Sequence, residues 1–255
     1  MLHPTPLKQT LVALKLTGKL NRNTPESNRQ AIREMLAQNS YWTFGSEDVA
    51  DYGLTYVQAA AVMAAALGVS VERFASDEVS YIDPDKTIQG LTAGLERLEA
   101  VAQDGGRILL ATAHPGSLLG FYTVIGRYLA ELGGELCLPD RPVPARNNRW
   151  IDAVDGVLVL SDEGNLVHTH DDMGMKEVIQ TLKPDIVMSD HGFAMAAINA
   201  AVSTVAIFDV DDPAIAMAAS VRPDDVIGVP MNDNQTNIRS AAAARCLVSL
   251  QLARA

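Results

Sequence analysis

Four histidines sit just past short apolar runs, at points where parallel strands deliver side chains to one edge of a sheet. His114 follows RILLATA, His168 and His170 end NLVHTHD, and His191 follows DIVMSD with Asp190 beside it. Imidazole transfers protons near neutrality and ligates divalent metals. In an open α/β sheet the ligand site lies at the carboxyl ends of the strands. The placement predicts a catalytic or metal pocket assembled from three loops, without naming the reaction.

Each segment carries a chemical expectation beside a plainer one. Read as a strand, LVHTHD points His168 and His170 to one face and Thr169 to the other, so the two imidazoles converge on a metal ion or a phosphate. The plainer reading is a polar edge strand with solvated histidines, although Asp171 and Asp172 follow at once. In MSDHGF, Asp190 orients an imidazole or ligates a cation, or else caps the next helix. His114, Asp190 and His191 are the expected catalytic groups, with His168, His170 and Asp190 as metal ligands. ATAHPGSLLG places Gly116 and Ser117 at a helix start, where free N–H groups hold an anion, or it is an ordinary βα turn. It lacks the spacing of a Walker loop or a dinucleotide fingerprint, so no nucleotide cofactor is expected. In PMNDNQ, Asn232 and Asp233 are candidates for substrate contacts.

Two acidic segments read less strongly. IFDVDDP resembles the Asp-x-Asp strand end of the aspartyl phosphatases at Asp209 and Asp211, but only 44 of the 255 residues follow Asp211. That is too few for the downstream sheet and motifs of that fold, which makes the segment a decoy, with Asp209 or Asp212 left to line the pocket. Asp162 and Glu163 in SDEG are expected to be exposed in a turn.

The elements that must position these groups change texture along the chain. Before residue 105 the pattern is helical: TPLKQTLVALKLTGKL, TPESNRQAIREMLAQNSYW with Thr24 as cap and Pro25 at the first position, SEDVADYGLTYVQAAAVMAAALGV with Ser46 as cap, and DPDKTIQGLTAGLERLEAVAQDGG. From Arg107 short apolar runs recur, RILLATA, GELCLPD, GVLVLSD, DIVMSDH, TVAIFDV and DVIGVPM, most of them separated by helical stretches. This is the mark of a parallel sheet covered on both faces. VLVLSDEGNLVHTH reads as a hairpin, and residues 139–150 as a mobile loop. The expected fold is α/β, a mostly parallel Rossmann-like sheet with an N-terminal helical layer or subdomain. Residues 1–105 form the helical part and 106–255 the α/β domain that carries the site.

Composition narrows the partners. The net charge of −11 argues against nonspecific nucleic-acid binding, which needs lysine and arginine to neutralise phosphates. Cys137 and Cys246 stand far apart in apolar surroundings and read as reduced thiols, which fits a cytoplasmic location. No apolar stretch reaches the roughly 18 residues of a membrane span. VQAAAVMAAALGV reads as core or as the seam of a homo-oligomer, core being the commoner case.

The same segments carry a resemblance. ATAHPGSLL, VHTHDDMGMKEVI and VMSDHGFA resemble the HPG loop, the HTH stretch before a methionine-lysine helix, and the DHG strand end of a family of bacterial phosphatases. TPESNRQAIREMLAQNSYW and YIDPDKTIQGL resemble it too, so the similarity spans nearly the whole chain. The sequence departs from that pattern at Asp211, where a neutral residue is expected, and at Asn232-Asp233-Asn234, a loop expected to be more acidic. The resemblance implies a phosphatase. The expected activity is hydrolysis of a small phosphorylated metabolite through a His/Asp pocket assisted by Mg, Mn or Zn. The alternative is a protein that binds or senses a phosphorylated ligand without turnover.

Overall fold

The computed structural model describes residues 4–20 and 23–253. The chain opens with α1 (Pro4–Ala13), β1 (Gly18–Lys19), α2 (Pro25–Leu36), α3 (Ser40–Thr43), α4 (Tyr56–Leu67), α5 (Val71–Ala75), β2 (Tyr81–Ile82) and α6 (Pro84–Gln103). It continues with β3 (Arg107–Thr112), α7 (Pro115–Glu131), β4 (Glu135–Leu136), β5 (Val143–Ala145), β6 (Arg149–Val154) and β7 (Val157–Ser161). The last part holds α8 (Met175–Leu182), β8 (Ile186–Asp190), α9 (His191–Asn199), β9 (Ser203–Phe208), α10 (Pro213–Val221), β10 (Val226–Pro230) and α11 (Asn237–Leu252).

The main sheet has eight strands in the order β10-β9-β8-β3-β7-β6-β5, with β4 also paired to β3. All pairings from β10 to β7 are parallel, whereas β6 and β5 run antiparallel at the far edge. The fold is therefore the mixed α/β architecture expected, with helices on both faces. Period-two alternation divides the strand residues between those faces. Ile108, Leu110, Ile186, Met188, Val205 and Ile207 pack against α1, α6, α7 and α11. Leu109, Ala111 and Val187 face α8 and α9, and Ala206, Phe208 and Val226 face α2, α4 and α10. The N-terminal helices are thus shared out, α1 and α6 to one face and α2 to α5 to the other.

Local chemistry sets the helix starts. The Thr24 hydroxyl accepts from Ser27 N at 3.1 Å, with Pro25 at the first helical position. Asp83 caps α6 in the same way. One start differs from expectation: Ser46 only closes a turn, accepting from Val49 N, and α4 begins at Tyr56. A reciprocal capping box between Thr55 and Gln58 fixes that start, and Gly53, at φ 57°, interrupts any earlier helix. The first hundred residues also contain one short ribbon, β1 paired antiparallel to β2, where no strand was expected.

Two loop expectations are corrected. Residues 139–150 are not a free loop, because β5 and β6 form a hairpin that turns through Asn147 and Asn148, both left-handed. LVHTHD does not form a hairpin strand. Both edges of β7 are already taken by β3 and β6, so only a single bridge, Ser161 to Leu166, survives. Beyond it the chain crosses the end of β3, with Thr169 N donating to Ala113 O at 2.9 Å.

Cys137 is buried and Cys246 half-buried, and both are free thiols. Among the described residues no helix is long and apolar enough to cross a membrane. Leu110, 1% exposed in the centre of the sheet, reports on the main core. Leu110→Ala is expected to lower unfolding free energy by about 2–5 kcal/mol, measured by urea denaturation.

Candidate functional site

From β3 the chain departs in one direction, through α7, to β4 and β7, whereas β8, β9 and β10 stack on the opposite side. The crevice between β3 and β8 is a topological switch point, where connecting loops diverge and leave room for a ligand. His114 follows β3, Asp190 ends β8 and His191 opens α9, Asp209 to Asp212 follow β9, and Asn232 to Gln235 follow β10. His168 and His170 arrive from the segment after β7. All four predicted histidines converge. The His114 and His168 rings stack at 4.2 Å, and the His191 ring lies 5.5, 5.3 and 4.8 Å from those of His114, His168 and His170.

The Asp190–His191 pair is the most constrained part. His191 has φ 46°, a left-handed conformation rare for a residue with a side chain. The turn aims its ring back into the crevice. Asp190 Oδ1 lies 3.0 Å from His191 Nδ1 and accepts from Ala113 N at 3.0 Å. Its Nε2 lies 3.4 Å from Asp233 Oδ2 and 3.8 Å from Asp212 Oδ2, so three carboxylates flank the ring. The fully buried Tyr122 hydroxyl faces Asp190 from α7, and burial, together with that carboxylate, raises its pKa well above the usual value. Gly192 lets the next loop approach: a Cβ there would lie 2.5 Å from His170 O and 2.6 Å from Asp171 O.

His170 is held differently. Its Nδ1 meets Tyr41 O at 2.9 Å, and its ring stacks on Tyr41 at 3.8 Å, with Phe44 5.0 Å away. Arg146, at the tip of the β5–β6 hairpin, pairs with both Asp171 and Asp172 and so clasps the histidine loop.

The site is rich in negative charge. Asp190, Asp209, Asp212 and Asp233 are all at least 97% buried. Among the described residues, Asp190, Asp212 and Asp233 form ion pairs with histidines alone. Asp209 instead receives amide donors from Asn234 at 3.2 Å and Asn23 at 3.4 Å, and Asn23 also donates to Asp211 at 2.7 Å. The titrations reflect the crowding. Burial first, then neighbouring carboxylates, pushes Asp211 up to about 8, and burial with the Asp233 charge lifts Asp212 to about 6 despite His191. Burial would lower His191, but Asp212, Asp190 and Asp233 outweigh it and raise it to about 10. His168 and His170 fall to about 4 and about 3, by partial desolvation and then by nearby imidazoles, His168 keeping an exposed edge and His170 being half-buried. Both are therefore neutral near pH 7 and can offer a lone pair.

Two sets of side chains bring ligand atoms within 4.8 Å of one another: His114, His168 and His191, and His191, Asp212 and Asp233. Of the ligands expected from sequence, His168 belongs to such a set, whereas His170 and Asp190 lie outside both. Of the expected substrate contacts, Gly116 is exposed, and a Cβ there would meet open space. Ser117 is 2% exposed and its hydroxyl donates to Gln235 O, so it ties two loops together. The Asn232 side chain donates to Lys15 O at 2.7 Å and accepts from Asn234 N, a structural role, while Asp233 points into the centre. Asp212, set aside with a decoy segment, is the residue that sequence reasoning undervalued. Its signal was the Asp-Asp-Pro at a strand end, with Pro213 opening the next helix. Tyr122 and Tyr41 gave no signal. A separate apolar groove of about 630 Å³ lies between α4, α6 and β10, but it gathers no cluster of titratable groups.

An open α/β sheet with a histidine–aspartate centre at its switch point defines a class of small-ligand enzymes and binding proteins. Within that class the Phosphatase family matches residues 3–248, and the chain belongs to it. A bacterial relative, Phosphatase SCO2771 of Streptomyces coelicolor, is 29% identical over 242 residues, covering 91% of this chain and 90% of that protein. No solved structure matches the chain significantly.

Gly192→Ala should force the His170–Asp171 backbone away and cost about 1–3 kcal/mol of stability. Gly116→Ala should stay within about 0.5 kcal/mol, because nothing opposes its Cβ. Chemical denaturation of both variants checks the contrast.

Proposed function

We propose that the protein is a phosphoric-monoester hydrolase of small phosphorylated metabolites, acting in the cytoplasm through this His/Asp centre with a divalent cation. The observation that carries the reading is the burial of four carboxylates near the neutral imidazoles of His168 and His170, with none of the four paired to a lysine or arginine among the described residues. Burying unpaired charge is costly, and a cation relieves that cost. Mixed imidazole and carboxylate donors suit Zn or Mn better than Mg. Membership of the Phosphatase family supports the activity in general.

His114, His168, His191, Asp212 and Asp233 would hold the cation. When bound, it would offset phosphoryl charge and lower the pKa of a water. The remaining roles fall to the chain itself. Asp190 fixes the tautomer of His191, and Tyr122 stands behind Asp190. The first turn of α7 offers the Gly116 N–H to a phosphoryl oxygen, the Ser117 and Leu118 N–H groups being committed to His114 O. His170, neutral and anchored on Tyr41 O, orients the attacking water as a hydrogen-bond acceptor. The acidic chain disfavours nucleic acid as substrate.

Purified protein incubated with an aryl phosphate and a panel of phosphorylated metabolites, with Mg, Mn or Zn added, is expected to release phosphate. Binding of those compounds without any release would favour the non-catalytic reading instead. His170→Ala is expected to lower kcat by about 10²-fold with metal content unchanged. Loss of metal in that variant would make His170 a ligand and remove its water-orienting role.

A further inference from the structure

We infer that the centre is binuclear: two divalent cations bridged by the Asp233 carboxylate, one on the His114–His168 side and one on the His191–Asp212 side. The inference rests on the metal-assisted reading above and extends it in number and placement.

Charge gives the first argument. Asp190, Asp209, Asp212 and Asp233 are withdrawn from solvent, and Asp211 stands beside them. With His191 neutral as a ligand, one divalent ion would offset half of the charge on the four buried carboxylates, whereas two match it.

Donor geometry gives the second. The two ligand sets share His191, yet its Nδ1 is committed to Asp190, so only Nε2 remains and it can serve one ion. Asp233 resolves the conflict. Its Oδ1 accepts from Asn234 Nδ2 at 3.1 Å, while Oδ2, buried and without a hydrogen bond, lies 3.5 Å from His114 Nδ1 and 3.4 Å from His191 Nε2. His114 Nδ1 is itself buried without a hydrogen-bond partner. Adjacent ligands about 2.1 Å from a tetrahedral ion are about 3.4 Å apart, so both separations suit ligands of a shared ion better than a direct hydrogen bond. A single carboxylate oxygen facing two imidazoles from different loops is the geometry of a bridge. Paired ions of this kind sit about 3.5–4 Å apart in hydrolytic centres.

The ligands divide accordingly. His114 and His168 come from β3 and the segment after β7, and His191 and Asp212 from β8 and the β9–α10 loop. Asp233, after β10, stands between the two pairs.

The test uses the full chain, loaded with Mn and dialysed. Metal analysis is expected to give about two ions per chain, and electron paramagnetic resonance an exchange-coupled pair. His168→Ala and Asp212→Asn should each retain about one ion and show an isolated-ion spectrum, and Asp233→Asn should weaken both sites. One ion per wild-type chain, with an isolated-ion spectrum, overturns the binuclear centre and leaves the single-metal reading standing. No bound ion overturns both. The wild-type measurements decide the question even if a variant fails to fold, which circular dichroism would reveal.

Discussion

Charge burial is the constraint on which the rest of this structure depends. Carboxylates placed at the ends of three neighbouring strands are taken out of water with imidazoles as their main charged company. In a low-dielectric interior such groups either neutralise, pair, or bind cations. The chain shows each response in part. Asp211 and Asp212 titrate high, Asp233 is held low by His114 and His191 against the effect of its burial, and buried oxygens on Asp190 and Asp233 are left without hydrogen bonds. A centre of this kind is stable only if its walls prevent the carboxylates from separating, which explains how much surrounding structure is devoted to holding loops in place.

That holding is done mainly by backbone groups. Ala113 N fixes Asp190, Asp209 N fixes Asp212, and Tyr41 O fixes His170. Ser117 and Asn237 tie the start of α7 to the loop before α11, and Asn232 ties the end of β10 to the tail of α1. Elements far apart in sequence thus share the load, and the centre sits where a rigid parallel sheet changes direction. The strained His191 backbone persists because β8 on one side and α9 on the other leave it no alternative.

Much of the fold was legible from local pattern. Continuous apolar runs such as RILLATA and DIVMSD became strands buried on both faces, and Thr24-Pro25 and Asp83-Pro84 opened helices where their chemistry required. The failures share a cause. Ser46 can cap a helix, but Thr55 with Gln58 does so better nine residues later. Asn147-Asn148 looked like loop composition because left-handed turns and free loops use the same residues. LVHTHD alternates like a strand, yet whether a strand can form depends on a free neighbouring edge, which β3 and β6 had already taken.

By itself, the sequence determined which residues reach the carboxyl edge of the sheet. A strand's length and its terminating residues are local properties, so His114, Asp190, His191, Asp209 and Asp233 were all placed at strand ends before any contact was known. Only the tertiary structure decided what they do there. Strand order set which loops adjoin, bringing Asp212 and Asp233 within 3.8 Å of His191 while turning Asn232 and Ser117 to structural bonds. The identity of the atoms that meet depends on pairings between residues as far as 217 positions apart, as for Lys15 and Asn232. No periodicity within one element encodes those pairings, because they follow from the packing of the whole sheet.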